Sequence, residues 1–427
     1  MENKYHHQGV GREMQKALLG QWYARLSRAK QENIPVAYLF ISGNIGELLR
    51  SFGFELVFPE VNALQCGIKK VAGEMILKAE DTGYSSDVCG YVKNDIGLAL
   101  SGNAGPFGTL APPDLLVCTY SGCNTYIKWF EALASLFKAP IFMLDVPYTR
   151  EGRFREEDKQ YVIAQLKELI TVCEKLTGRA FDEKKLKEQL RNAAEAEEIW
   201  AKILQSARHR PSPIDAFFEA VFFMAPIYVL RGTPECVRYY RAAWEEIEER
   251  LGHRLGPVSE ERFRVVLEGP PPWPYFRAFW ELFKKWNVCV VASTYSKVGG
   301  IWDFGFRHDP SRPLESIAEY ALNCYTNLNW PMRQEMIRKY IEEYAADALV
   351  IHSVKSCRSF SVGQADVREY FTKEQGLPTL FLESDLVDSR YFSEAQMRNR
   401  IDAFFEALES RFQRESRRGG VPDPARA

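Results

Sequence analysis

The residues of this chain whose type could do chemistry unaided are its nine cysteines. Three stand where the local pattern changes to a helix. Cys123 lies in Tyr-Ser-Gly-Cys-Asn, a glycine-bearing turn after an apolar run, and Cys357 holds the equivalent place in Val-Lys-Ser-Cys-Arg-Ser. Cys89 follows Asp87, the expected N-cap of a helix. A helix N-terminus favours thiolate over thiol, and the thiolate is the form that ligates metal. The alternative for any one cysteine is a small buried core thiol. That reading suits Cys118 and Cys289 inside apolar strand runs, Cys173, Cys236 and Cys324 on helical patterns, and Cys66 at a helix start. An odd count spread over distant segments makes a poor disulfide framework. Structural zinc usually shows close pairs such as C-x2-C, and none occurs here. The histidines offer no H-x3-5-H spacing, only the adjacent His6-His7. Thiolates gathered from distant segments suit an iron–sulfur cluster better.

Other candidates lie just after strand-like runs. Ser-Gly-Asn-Ile-Gly-Glu places Asn44 and Glu47 at a carboxyl edge, where Glu47 either compensates a helix dipole or serves as an active-site carboxylate. Lys297, in Ser-Thr-Tyr-Ser-Lys, could meet a phosphate or carboxylate, or be a solvated loop lysine. His308, in Phe-Arg-His-Asp, belongs to a site loop or an ordinary polar turn. No G-x-G-x-x-G follows a strand and no Walker A signature exists, so this chain is not expected to hydrolyse ATP. Gly102–Gly108 is glycine-rich but contains a proline and precedes no clear helix, which reads as a surface loop.

These residues must be positioned by alternating strands and helices. Short β-rich runs occur at Val36–Ile41, Glu55–Phe58, Leu115–Thr119 and Ile141–Leu144, then at Phe263–Leu267, Val288–Ala292, Ala348–Ile351 and Thr379–Leu382. Helical patterns at Ala63–Lys78, Tyr126–Phe137, Tyr275–Lys285, Pro331–Ala345 and Val367–Gln375 separate them. The expected fold class is α/β, with two lobes, each a parallel four-stranded sheet flanked by helices, and a helical bridging segment. The expected domains are an N-terminal helical segment at 1–30, a first lobe at 31–155, a bridge at 156–255, a second lobe at 256–412 and a flexible tail at 413–427. The halves echo one another. Asp-Leu-Leu-Val at 114–117 leads to Cys123, a helix and Pro140-Ile-Phe-Met-Leu-Asp; Asp-Ala-Leu-Val at 347–350 leads to Cys357, a helix and Pro378-Thr-Leu-Phe-Leu-Glu. Ligands of open parallel sheets gather at the carboxyl ends of strands, so two facing lobes could share one prosthetic group.

Composition narrows the partners. The 427 residues carry 55 basic and 57 acidic side chains, a formal charge of -2, which gives no basis for a nucleic-acid groove or an anionic membrane as main partner. The most membrane-like run, Ile214–Leu230, contains Asp215, Glu219 and Pro226 and is short for a bilayer span, so it reads as a buried helix. Residues 1–20 hold no uninterrupted apolar run, and the expected location is cytoplasmic.

Longer blocks carry a resemblance. FISGNIGELL (40–49), PEVNALQCGIKK (59–70), DVCGYVKNDIG (87–97), CTYSGCNTYIKWFE (118–131), STYSKVGGIWDFGFRHDP (293–310), CYTNLNWPMR (324–333) and SVKSCRSFSVGQ (353–364) are among the motifs, collinear over nearly the whole chain. They resemble the B-type cluster subunit of the ATP-dependent benzoyl-CoA reductases, within the wider family of 2-hydroxyacyl-CoA dehydratase D-components. The resemblance implies two α/β lobes with one 4Fe–4S cluster per chain, held by Cys89, Cys123 and Cys357. It implies a paralogous cluster-bearing partner, an ATP-hydrolysing activator that delivers electrons, ferredoxin upstream, and an aromatic acyl-CoA reduced to a cyclohexadiene-carboxyl-CoA. Many dehydratase members carry an aspartate after the middle cysteine; here Asn124 follows it, as suits the reductase branch. The alternative is a D-component subunit of a 2-hydroxyacyl-CoA dehydratase. Asn44, Glu47, Tyr120 and Tyr148 are the candidates for catalysis and proton supply, and Lys297 and His308 for substrate binding.

Overall fold

The computed structural model describes residues 9–297, 300 and 304–417, with side chains to 414. Its strands are β1 (Val36–Leu39), β2 (Glu55–Val57), β3 (Ala104–Gly105), β4 (Gly108–Thr109), β5 (Leu115–Tyr120), β6 (Ile141–Asp145), β7 (Phe263–Glu268), β8 (Val288–Ser293), β9 (Ala348–Val354) and β10 (Thr379–Ser384). Eight of them form two four-stranded sheets, in the orders β2-β1-β5-β6 and β10-β9-β7-β8, and every pairing in both is parallel. The other two make a small antiparallel hairpin within the glycine-rich 102–108 segment and its flank.

The strands were legible because their burial is unequal in a regular way. β1, β7, β8 and β9 are buried at every position, and β5 at all but its last. A strand covered on both faces reads as a continuous apolar run. β6 and β10, at the sheet edges, alternate or expose residues instead.

The two sheets share one topology. Numbered within its own sheet, each runs 2-1-3-4 when the first sheet is taken as the guide, so the order reverses between the first and third strands. That reversal opens a crevice at the carboxyl ends of β1 and β5 in one sheet and of β7 and β9 in the other. Cys123 follows β5 and Cys357 follows β9, each the third strand of its sheet. The echo between the halves is therefore structural as well as sequential.

Three expectations about helices change. The run expected at Ala63–Lys78 is two helices, Pro59–Ile68 and Ala72–Asp81, because the chain turns at Lys70 with φ 60°. The first begins early, with Pro59 in the first turn, where a missing N–H costs nothing. Within Ile214–Leu230 only Ala220–Val229 is helical. The Asp215 carboxylate accepts the backbone N–H groups of Phe217 (2.9 Å), Phe218 (2.7 Å) and Val290 (2.9 Å), and this turns the chain and fastens it to β8. The helix expected at Val367–Gln375 is Gln364–Glu369 followed by a wide turn at Tyr370–Glu374.

Between the sheets in sequence lie the long helices Glu156–Thr177, Glu183–Ser206 and Pro234–Gly252. The final helix runs to Arg417, so 413–417 of the tail expected at 413–427 continue that helix; 418–427 lie outside the described residues, as do the His6-His7 pair and 298, 299 and 301–303 of the motif at 293–310. Among the described residues no helix is long and apolar enough to cross a membrane.

Candidate active site

Each of the three selected cysteines is the N-cap residue of a helix: Cys89 of Gly90–Leu100, Cys123 of Asn124–Phe137 and Cys357 of Arg358–Ser361. Asp87 does not cap its helix, which starts at Gly90, so Cys89 takes the capping place itself. All three are half-buried and line one cleft, together with Ile41 after β1 and Pro270 after β7. Both crevices thus open onto the same space, about 780 Å³ with its mouth included. The other six cysteines are buried, and none of them lines this cleft.

Hydrogen bonds tie the cysteine turns to one another across the lobes. Gly90 N–H, next to Cys89, donates to Ser356 Oγ (3.0 Å), next to Cys357. Ser359 Oγ–H donates to the carbonyl of Gly122 (3.3 Å), next to Cys123. Gly122 has φ +78°, and a Cβ there would lie 2.0 Å from the Thr326 carbonyl oxygen. The Cys123 turn can seat against the second lobe only because that residue is glycine. Gly122→Ala is expected to cost about 1–3 kcal/mol of stability from the left-handed backbone alone, read as a lower melting temperature.

Thiol acidity corrects one expectation. Burial pushes all three thiols up, Cys357 to about 12, and outweighs the backbone N–H groups of Val92, of Thr125 and Tyr126, and of Ser359 and Phe360 that face the three sulfurs. The sulfurs also oppose one another's ionisation: Cys357 and Cys123 raise Cys89, and Cys123 raises Cys357. Three thiolates can share this cleft only beside a compensating positive charge, which is the condition that a bound metal centre meets. Among the described residues no three His, Cys, Asp or Glu side chains converge on a single-ion site. Cysteines that each bind a different iron of a cluster need not converge in that way.

The rest of the wall is largely apolar and carries the aromatic side chains of Tyr91, Tyr126, Trp129, Tyr228, Tyr295 and Phe360. Its carboxylate is Glu60, at the start of the helix after β2. Glu60 accepts the backbone N–H of Ile41 (2.6 Å) at Oε2 and the Tyr126 hydroxyl (2.6 Å) at Oε1, yet burial pushes its carboxyl up to about 7. Sequence reasoning passed over it. The available signal was its place in PEVNALQCGIKK, directly beyond the carboxyl end of a strand.

The other residues singled out in the sequence do not line the cleft. Asn44 is buried and fixes its own loop: its carboxamide accepts Gly46 N–H (2.8 Å) and donates to the Tyr228 carbonyl (3.1 Å). The Tyr120 hydroxyl donates to Asn124 (2.6 Å). Tyr148 is 47% exposed and donates to the Leu328 carbonyl (3.4 Å). Lys297 is buried, its ammonium 5.4 Å from the centre of the Tyr340 ring.

Glu47 and His308 do meet, but in a buried ion network. Arg231 pairs with Glu47 and with Glu197, His308 Nδ1 lies 2.7 Å from Glu197, and the Arg231 guanidinium sits 3.9 Å from the centre of the Tyr320 ring. Burial opposes the charge on Glu197, but His308 and Arg231 together hold its carboxyl below the ordinary value. Removing one partner of such a network strands the others in a dry interior. Arg231→Met is expected to lower unfolding free energy by about 3–5 kcal/mol, measured by chemical denaturation.

Known proteins are similar to this chain along most of its length. The chain matches the family described as 2-hydroxyglutaryl-CoA dehydratase, D-component, over residues 46–408. It is 44% identical to the B-type subunit of benzoyl-CoA reductase from Thauera aromatica, over 93% of this chain and 94% of that protein. It is 29% identical to the (R)-2-hydroxyisocaproyl-CoA dehydratase alpha subunit of Clostridioides difficile, over 92% and 95%. Its identity to the alpha subunit of lactoyl-CoA dehydratase from Anaerotignum propionicum is 28%, over 85% and 88%.

Proposed function

This chain belongs to the 2-hydroxyglutaryl-CoA dehydratase D-component family, in its benzoyl-CoA reductase B-type branch, and from that premise we propose that it is the cluster-bearing subunit of a reductase that dearomatises an aromatic acyl-CoA. The observation that carries this reading is the pair of equivalent cysteine turns, one per sheet, opening with Cys89 onto a single aromatic-walled cleft. Cys89, Cys123 and Cys357 would hold a 4Fe–4S cluster, and their half-buried, mutually opposed thiols fit an anionic ligand set that needs metal. Bound there, the cluster supplies single electrons at low potential.

The chain's own residues do the rest. The aromatic wall offers flat apolar surface to a planar ring and keeps bulk water from it. Glu60, with a carboxyl poised near neutrality, is placed to hold a proton at Oε1 or Oε2 and pass it toward a ring carbon, with Tyr126 as its hydrogen-bonded neighbour. Glu47 keeps Arg231 neutralised behind the Asn44 loop, and it supports the wall without facing it. Partner subunits consume ATP and pass electrons in; this chain's contribution is the cleft.

The test is anoxic product analysis of the complete complex with its activator. Benzoyl-CoA should yield a cyclohexa-1,5-diene-1-carboxyl-CoA, with ATP consumed in proportion to product. Dehydration of a 2-hydroxyacyl-CoA without net electron consumption, and no ring reduction, would assign the chain to the dehydratase branch instead.

A further inference from the structure

Behind the cleft wall lies a buried cation that the reading above leaves unused. Arg333, on the helix Trp330–Glu343, is 9% exposed. Its Nη1 donates to the carbonyl of Ser359 (3.0 Å), two residues after Cys357. Its Nη2 donates to the carbonyl of Thr326 (3.1 Å), the oxygen against which Gly122 of the Cys123 turn is seated. Thr326 is in turn fastened to the first lobe, its hydroxyl donating to the Ser121 carbonyl (2.8 Å) and lying 2.5 Å from Ser42 Oγ. Ser359 and Thr326 both line the cleft, so the guanidinium stands one residue behind its wall.

The charge is as informative as the geometry. The guanidinium lies 4.8 Å from the centre of the Tyr325 ring, its Nε is buried without a hydrogen-bond partner, and it forms no ion pair among the described residues. Glu268, a carboxyl whose field reaches it, is itself buried, hydrogen-bonded to Tyr325 (2.8 Å), and raised above its ordinary value by desolvation. A cation this deep, hydrogen-bonded only to neutral carbonyls, is costly unless an anion shares its surroundings. Three thiolates carrying an iron–sulfur cluster are such an anion.

We propose that Arg333 is a positioning residue for the cluster: its planar fork clamps the Cys357 turn to the loop under the Cys123 turn, and its charge offsets the negative charge of the ligand set. The inference rests on the cluster reading. A fork bridging two carbonyl oxygens is a task for arginine; lysine keeps the charge but loses the fixed bidentate geometry.

The experiment uses the anoxically purified complex and two variants, Arg333→Gln and Arg333→Lys, read by redox titration followed by electron paramagnetic resonance and by the rate of iron loss to a chelator. Arg333→Gln should shift the midpoint potential of this chain's cluster to a more negative value, because a compensating positive charge is gone, and should lose iron faster by on the order of tenfold, the scale of one lost charge-assisted hydrogen bond. Arg333→Lys should restore the potential but not the rate. A glutamine variant that melts earlier yet keeps the wild-type potential and spectrum overturns the proposal, since that is all a structural arginine would do. If Arg333→Gln does not fold, Arg333→Lys decides: faster iron loss supports the clamp, and a wild-type rate overturns it. Absence of iron from this chain in the wild-type complex would instead defeat the cluster reading itself.

Discussion

Complex containing Cys357→Ala, purified without oxygen, is expected to lack this chain's share of iron and to lose ring-reducing activity by at least about a thousandfold, with Cys89→Ala and Cys123→Ala alike. A group that carries electrons into the reaction cannot be replaced by residual binding, so the loss should approach background rather than a partial rate. Each of the three turns is tied to another through Ser356 or Ser359, so losing one thiolate leaves the others without a shared centre. Cys173→Ala and Cys236→Ala are the controls. Both thiols are buried outside the cleft, Cys173 raised to about 12 by burial, and their loss should leave the iron content unchanged.

Glu60→Gln should separate iron from chemistry. The amide is nearly isosteric and keeps an oxygen to accept Ile41 N–H or the Tyr126 hydroxyl, so the fold and cluster should persist. Proton supply should not: turnover is expected to fall by roughly 10²–10⁴, the range for a lost general acid. Because burial raises the carboxyl to about 7, wild-type turnover limited by this proton should decline as pH rises through about 7. Stability follows the same direction. The protonated form is the one the fold favours, so stability from this site is full below the ordinary carboxyl value and is lost as pH rises through about 7, by about 3 kcal/mol in total. Glu60→Gln should therefore melt no lower than wild type at pH 8.5 while turning over far more slowly. A variant that keeps wild-type turnover would remove Glu60 from the chemistry.

Comparing Glu47 with Glu60 shows how far the sequence could be read. Both are glutamates in the first turn of a helix that follows a strand of the first sheet. Nothing local distinguishes them. Glu47 is neutralised by Arg231, 184 residues away, whereas Glu60 meets Tyr126, 66 residues away, at the cleft wall. Partners at such separations are set by the packing of lobes, which periodicity does not encode. His308, in a stretch that reads as a site loop or a polar turn, follows the same rule: Glu197 on the helix Glu183–Ser206 draws it into the Arg231 network.

The strands and the three cysteine turns were legible because their signals are local. A strand buried on both faces is apolar at every position, and a strand end, a glycine or serine turn and a helix start fall within a dozen residues around Cys123 and around Cys357. Breaks such as Lys70 and the Asp215 turn were not, since each depends on a backbone conformation or a distant acceptor that composition leaves open.

The most direct test is anomalous diffraction at the iron edge from anoxically grown crystals of the complex. Iron is expected in the cleft of this chain, bonded to the Sγ atoms of Cys89, Cys123 and Cys357 and to no other cysteine of the chain. Iron bound elsewhere in the chain, or three free thiols facing a cleft without iron in active protein, would contradict the assignment.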